Sequence, residues 1–317
     1  MERRVLGRTG LEISVMGMGS GGHDPLGQRS GRPVEEMKGL LRRVYDLGIN
    51  YFDTSPGYLD SERILGEVLR DLPRDELVVS TKIPLAGGHS DDVVIMKPDE
   101  VRDQTKRSLT RLGLDHVDVM LMAVAGPEYI DPVLQDHLPV LEQLKQEGLI
   151  RFLGSSEQTR SDGSHEWLKK ILPTGVIDVA MVGHNMINQS AEHGVFPFCR
   201  EQNIGVLNIF TVRNLFWNPS RLKEVVDDLV ARGKVDRDEL PSDGPLDWVI
   251  AGDVDSLVDA AYRYALYTEG VTAVMCGTIE VSELERNVET FEKGPLPSET
   301  VERLHRIFGE IDEPIAN

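Results

Sequence analysis

Cysteine is nearly absent from this chain of 317 residues: only Cys199 and Cys276 occur, far apart and without metal-ligand spacing. A disulfide framework is thereby excluded, and a zinc site is not expected. Long apolar runs are also missing. None approaches the roughly 18 residues of a membrane-spanning helix. The opening Met-Glu-Arg-Arg-Val-Leu-Gly lacks the apolar centre of a secretory leader, so a cytoplasmic location is the expectation. Basic residues are in deficit, 34 against 53 acidic ones, for a formal net charge of −19. Such a surface repels nucleic acid phosphates and anionic lipid, which leaves a small molecule as the expected partner. It would also repel an anionic cofactor, so any phosphate site must be a local exception built from backbone. No Pro/Ser/Gly linker or charge block divides the chain, and residues 1–317 read as one domain. Oligomeric state leaves no mark here.

What is present is an alternation of short apolar runs with longer segments of helical period. The runs cover residues 14–18, 50–52, 77–81, 117–122, 150–154, 179–182, 205–209 and 272–276. The amphipathic segments between and after them cover residues 34–47, 61–69, 98–112, 137–146, 165–172, 191–202, 255–266 and 281–291. Eight strands each followed by a helix is the count of a (β/α)₈ TIM barrel, whereas an open doubly wound sheet would stop nearer six. Residues 5–13, turning at Arg8-Thr9-Gly10, predict an N-terminal β-hairpin that caps the closed end, and residues 297–308 predict an extra C-terminal helix. The long connection over residues 210–253, with Trp217, Pro219 and an amphipathic stretch at 222–231, is expected to lie over the open mouth.

Barrel active sites form at the C-terminal ends of strands. The second strand ends in Asp53 and is followed by Tyr58; the third ends in Lys82. A lysine just past an apolar strand is costly to bury alone, and Asp53 is its evident counter-ion. An ammonium beside a phenol favours the phenolate, which suits a tyrosine that must exchange a proton with a carbonyl oxygen. A structural Asp–Lys pair with a surface Tyr would leave the same pattern.

Five segments in order resemble the aldo-keto reductase family. They are Leu6-Gly7-Arg8-Thr9-Gly10-Leu11; Gly48-Ile49-Asn50 through Asp53, Tyr58 and Ser61-Glu62 to Leu65-Gly66; Ser108-Leu109 through Arg111-Leu112-Gly113 to Asp118; Leu144 through Gly148 and Arg151 to Gly154-Ser155-Ser156; and Gly277-Thr278 with Leu284-Glu285-Arg286-Asn287. The resemblance implies an NAD(P)-dependent oxidoreductase that moves hydride between a nicotinamide and a small carbonyl, alcohol or sugar-like substrate, without metal. It implies Tyr58 as general acid/base, Lys82 as the group that lowers its pKa and Asp53 as the holder of Lys82. It also implies a cofactor bordered by Gly19, Ser155, Ser156, Met181, Ile209, Arg213, Gly277, Thr278, Glu283, Arg286 and Asn287. Gly17, Gly19, Gly21 and Gly22 form a Gly-rich turn that is not the spacing of a Rossmann fingerprint, and we read it as room for the nicotinamide half.

Departures from the family pattern are specific. The His the family carries at the end of the fourth strand is matched by Ala123, and His116 falls at the wrong end of that strand. His184 follows the sixth strand and is either a substitute donor or a helix-cap or supporting residue behind the site; His89 is the other His near a strand end. Glu157 stands where Asn is common, Met181 where Gln is common, and Ile209 where a stacking aromatic is common. Arg213 fits either a pyrophosphate clamp or a helix surface. The eighth loop offers Glu280 and Glu283 before any base, which favours NAD; the family's habit favours NADP, and NADP is put ahead. Cys199, Cys276, Tyr262 and Tyr264 are expected in the core, and the cluster around His165 is expected to be a helix cap. Because of Ala123 and the altered nicotinamide contacts, a redox-neutral enzyme that holds its nicotinamide tightly for elimination or epimerisation stays open; the resemblance also leaves open a non-catalytic nucleotide sensor, against which Tyr58, Lys82 and Asp53 argue.

Overall fold

The structure, a computed structural model, describes residues 1–87, 93–157, 162–241 and 243–315. Eight parallel strands close into a barrel in chain order: Met16–Gly19, Tyr51–Asp53, Val78–Gly87, Val117–Val124, Ile150–Ser156, Val179–Gly183, Gly205–Ile209 and Ala273–Cys276. The last pairs with the first through Val274↔Met16, and the first with the second through Gly19↔Asp53. This is the expected (β/α)₈ TIM barrel, with each expected run inside or beside an observed strand.

Period-two alternation decides what each strand residue meets. On the fourth strand Val119 and Leu121 point into the barrel, whereas Met120 and Met122 join the core beneath the helices. The same parity sends Asp53, Ser80, Lys82, Ala123 and Ser156 inward near the strands' C-terminal ends. The helices obey their own period. Val34–Asp46 buries Met37, Leu40, Leu41 and Val44, and Pro98–Leu112 opens on a proline and stops at Gly113, whose φ is 65°. The third strand runs on to Gly87, where Val94–Ile95 pairs with it as an unforeseen antiparallel extension. His89 lies outside the described residues.

The N-terminal hairpin pairs Arg3–Val5 with Glu12–Ser14. Its Leu6, Leu11 and Ile13 enter the barrel floor among Tyr51, Val78, Val119, Val179, Leu207 and Ala273. Gly7 stands so close to the seventh strand that a Cβ there would lie 2.2 Å from the Gly205 nitrogen. The expected plug is therefore present at the closed end.

The long connection after the seventh strand carries a helix of its own. Its helix, Pro219–Ala231, buries Leu222, Val226 and Leu229 in a second core with Leu304, Ile307 and Phe308 of the C-terminal helix Ser298–Phe308. Two amphipathic helices, each with one apolar stripe, bury more surface against each other than either could against a polar mouth. The helix is thus held by its apolar face in this second core. Trp217, just before it, is 62% exposed.

Candidate active site at the barrel mouth

Asp53 ends the second strand facing inward and is nearly enclosed. Its two carboxylate oxygens are divided: the Ser80 hydroxyl donates to Oδ1 at 2.7 Å, and Lys82 Nζ donates to Oδ2 at 2.5 Å. Lys82 also donates to the Thr54 carbonyl at 3.1 Å, and its Nζ stands 5.1 Å from the centre of the Tyr58 ring. Burial opposes the charge on Lys82, but the Asp53 carboxylate, followed by Tyr58, outweighs it and holds the ammonium above the ordinary lysine pKa. Lys82 therefore stays cationic beneath a half-buried phenol. Tyr58 and the Lys82–Asp53 ion pair, which two separate stretches of sequence supply, meet at one point of the mouth. Ser80 was missed in the sequence; the signal was a polar residue at an inward position between Val78 and Lys82.

Position 123 lies on the inner face of the fourth strand, in register with Pro84 and Ser156. It is partly exposed and carries only the methyl of Ala123. His184 does not fill its place. The His184 ring is fully buried, 3.2 Å from the Thr268 hydroxyl, stacked on Tyr264 and edge-on to Phe196. Burial pushes its pKa down to about 3, so it is neutral packing in the helical layer. His116 lies at the closed end beside Arg74 and Asp118.

The residues expected around a cofactor divide by which way they face. The Ser155 hydroxyl turns outward, accepting from Trp167 Nε1 at 2.7 Å and donating to the Met122 carbonyl at 3.3 Å. Ser156 faces the barrel and its hydroxyl donates to the thioether of Met181 at 3.5 Å. Met181 is buried in the floor, and Ile209 stands half-buried beside Gly183. Glu157 does not project into the mouth. One of its oxygens pairs with His165 Nδ1 at 2.7 Å and the other accepts from the Gly183 amide at 2.5 Å. His165 reaches on to the Ser190 hydroxyl at 3.0 Å. The expected cap is also present, since both Asp162 oxygens accept helix amides at 2.8 Å. Burial moves the thiols of Cys199 and Cys276 up to about 12, consistent with inert core residues.

Past the seventh strand, Phe210 and Arg213 both have left-handed backbone, with φ of 61° and 45°, and the guanidinium lies 4.1 Å over the Phe210 ring. At the eighth strand Gly277 and Gly19 stand together, a Cβ on Gly277 falling 3.4 Å from the Gly19 carbonyl. The Thr278 hydroxyl donates to Glu283 at 2.7 Å and accepts from the Glu280 amide at 3.1 Å, folding Glu283 back over the loop. Glu280 pairs with Arg32 of the first loop. Arg286 is exposed and Asn287 half-buried on the following turn.

These residues fit a nicotinamide nucleotide. The buried hydroxyls of Ser20 and Thr54, beside the Gly-rich turn and Asp53, have no protein partner among the described residues. Two adjoining glycines leave the rim between the first and eighth strands without side chains, and a guanidinium stands nearby in the next unit round the barrel.

A closed parallel barrel whose mouth sets a phenol over a buried ammonium–carboxylate pair defines a class of proton-exchanging barrel enzyme. The chain matches the model of the Aldo/keto reductase family over residues 16–308, and it belongs to that family as an NAD(P)-dependent oxidoreductase. It is 29% identical to L-galactose dehydrogenase of Arabidopsis thaliana, an alignment covering 100% of this chain and 96% of the relative. It is 28% identical to NADH-specific methylglyoxal reductase of Escherichia coli K12, over 65% of this chain and 66% of that protein. Its fold matches the holo form of the aldo-keto reductase AKR11C1 from Bacillus halodurans with a TM-score of 0.72, at 24% identity and 96% coverage of both chains.

Proposed function

We propose that the enzyme interconverts a small hydroxylated carbonyl compound and its alcohol, with NAD(H) as the preferred cofactor. The observation that carries this reading is the Tyr58 phenol above the Lys82–Asp53 pair. A bound nicotinamide supplies hydride to the carbonyl carbon, or accepts it in the reverse direction. Tyr58 gives its hydroxyl proton to the carbonyl oxygen as that oxygen gains charge, and takes it back from the alcohol in oxidation. Lys82 stabilises the phenolate left behind, and Asp53, fixed by Ser80, keeps Lys82 in place. Ala123 adds no donor, so polarisation of the substrate oxygen falls to Tyr58 alone.

Ser156, Ile209, Gly19 and Gly277 would border the nicotinamide half, and Arg213 the pyrophosphate. Thr278, Glu283, Arg286 and Asn287 would border the adenosine half. Met181 serves as floor beneath the ring, and Ser155 supports the site from behind. Glu283 beside the eighth loop supports NAD over the NADP that the family's habit favours, since a 2′-phosphate would meet its carboxylate there, whereas Glu280 is already paired with Arg32.

Fluorescence titration with NADH and NADPH tests the cofactor, with sub-millimolar binding expected, on the order of −5 to −8 kcal/mol. Assays with L-galactose and NAD⁺, and with methylglyoxal and NADH, sample both directions. Tyr58→Phe keeps the ring and should bind nucleotide normally while losing turnover by about 10²–10⁴. Wild-type turnover in that variant would overturn the assignment. Nucleotide retained in stoichiometric amount through purification, with none needed for turnover, would instead support the redox-neutral reading.

A further inference from the structure

The proposed function, on which this inference rests, requires Tyr58 to present its hydroxyl from a loop and not from a strand. The next residue, Leu59, is 54% exposed and has a φ of 53°, in the left-handed region. A non-glycine residue keeps that conformation only where its surroundings impose it. The Ser61 amide donates to the Tyr58 carbonyl at 3.0 Å across the turn, and one side chain of the first βα loop adds the remaining restraint. Gln28 Oε1 accepts the Asp60 amide at 2.8 Å. Its Nε2 faces the Tyr58 carbonyl at 3.3 Å, the Ser61 hydroxyl at 3.1 Å and the Pro25 carbonyl at 2.8 Å. The peptide units on both sides of Leu59 are thus tied to a single planar amide.

The same loop also meets the Tyr58 ring. A Cβ on Gly21 would lie 2.4 Å from Tyr58 Cε2 and 2.5 Å from Cζ, so the phenol rests against bare main chain. The Ser61 hydroxyl, at the start of the helix after Tyr58, donates to the Ser20 carbonyl at 3.1 Å. Ring, backbone and following helix are therefore all referenced to residues 20–28.

We propose that Gln28 is a positioning residue for Tyr58: it holds the left-handed turn at Leu59 and, with Gly21, registers the phenol against the Gly-rich turn. The segment expected to border the nicotinamide thus also carries the side chain that sets the acid.

One test reads Tyr58 without turnover. With tyrosines labelled ¹³C at Cζ, Tyr58→Phe identifies the Tyr58 resonance among the seven tyrosines. In Gln28→Leu this resonance moves by more than its linewidth while those of Tyr262 and Tyr264 stay. An unmoved resonance overturns the proposal. Should Gln28→Leu not fold, Gln28→Glu is read the same way, because it keeps the acceptor for Asp60 and loses the donor to Tyr58.

A second test is kinetic. Gln28→Leu should lower kcat on the order of 10- to 100-fold, the cost of a misplacement near 1 Å, and leave the NADH Kd within about threefold. It should add nothing in a Tyr58→Phe background. An equal further loss there would show that Gln28 serves the fold and not Tyr58. Wild-type turnover in Tyr58→Phe would sink the proposed function, yet the resonance test of Gln28 would still stand on its own.

Discussion

At Glu283 two demands on one loop meet. Its carboxylate accepts the Thr278 hydroxyl and so shapes the turn, and under the proposed function it would also border the cofactor's adenosine half. Glu283→Arg should shift relative affinity towards NADPH by about 1–2 kcal/mol, the scale of a charge-assisted contact. An NADPH/NADH affinity ratio equal to wild type would show that the side chain acts only on the loop. His184 poses a different question. Its folded pKa of about 3 lies below the ordinary histidine value, so the unfolded chain takes up a proton first as pH falls. Stability from this site is whole above pH 6.5 and drains away between there and pH 3. From pH 6.5 to 5 the loss should be about 2 kcal/mol, and His184→Gln should remove that part of the slope in urea titrations. An identical slope in both proteins would mean that the imidazole is already protonated when folded. Neither behaviour was legible in the sequence. The sequence left His184 open as a mouth donor because distance along a chain does not say which side of a strand end a ring turns to.

Helix Ser61–Leu69 illustrates how an element can obey its own sequence and still depend on another. Its bounds and those of Pro98–Leu112 match the residues expected from apolar period and capping alone. What the period does not announce is Gly66. A Cβ there would stand 2.5 Å from the carbonyl oxygens of Arg111 and Leu112, so the two helices touch backbone to side-chain-free backbone. Alanine would gain roughly 1 kcal/mol of helix propensity at this position. The clash should nonetheless dominate, and Gly66→Ala should be destabilising by about 1–3 kcal/mol in denaturant titrations. A variant more stable than wild type would mean that the helices separate freely. The eighth unit adds the complementary case: its helix was read correctly, but Arg32, which neutralises Glu280, arrives from a loop almost 250 residues earlier and no local pattern signals it.

Across the whole molecule, two cores share one helix. Leu257–Tyr267 gives Tyr262, Ala265 and Leu266 to the barrel and Leu257, Ala260, Ala261 and Tyr264 to the second core. The second core should therefore melt with the barrel and not as a separate unit. Phe308→Ala should cost about 3–5 kcal/mol. It should move the transition reported by Trp167, in the barrel layer, together with that reported by Trp248 beside the second core. Two resolved transitions would contradict this. What the sequence determined by itself was whatever repeats with a local period: the eight strands, their helices, and the placing of Asp53 and Lys82 on their strands; the roles of Tyr58, Lys82 and Asp53 came only from the resemblance to the family. The strands, helices and placings follow from side-chain alternation and apolar spacing, which act over a few residues. Tertiary structure alone decided which oxygens of Asp53 go to Ser80 and Lys82, that Ser155 turns outward, that Glu157 is taken by His165, and that Gln28 grips the turn after Tyr58. Those choices depend on side chains brought together by barrel closure, and closure is a property of all eight strands at once.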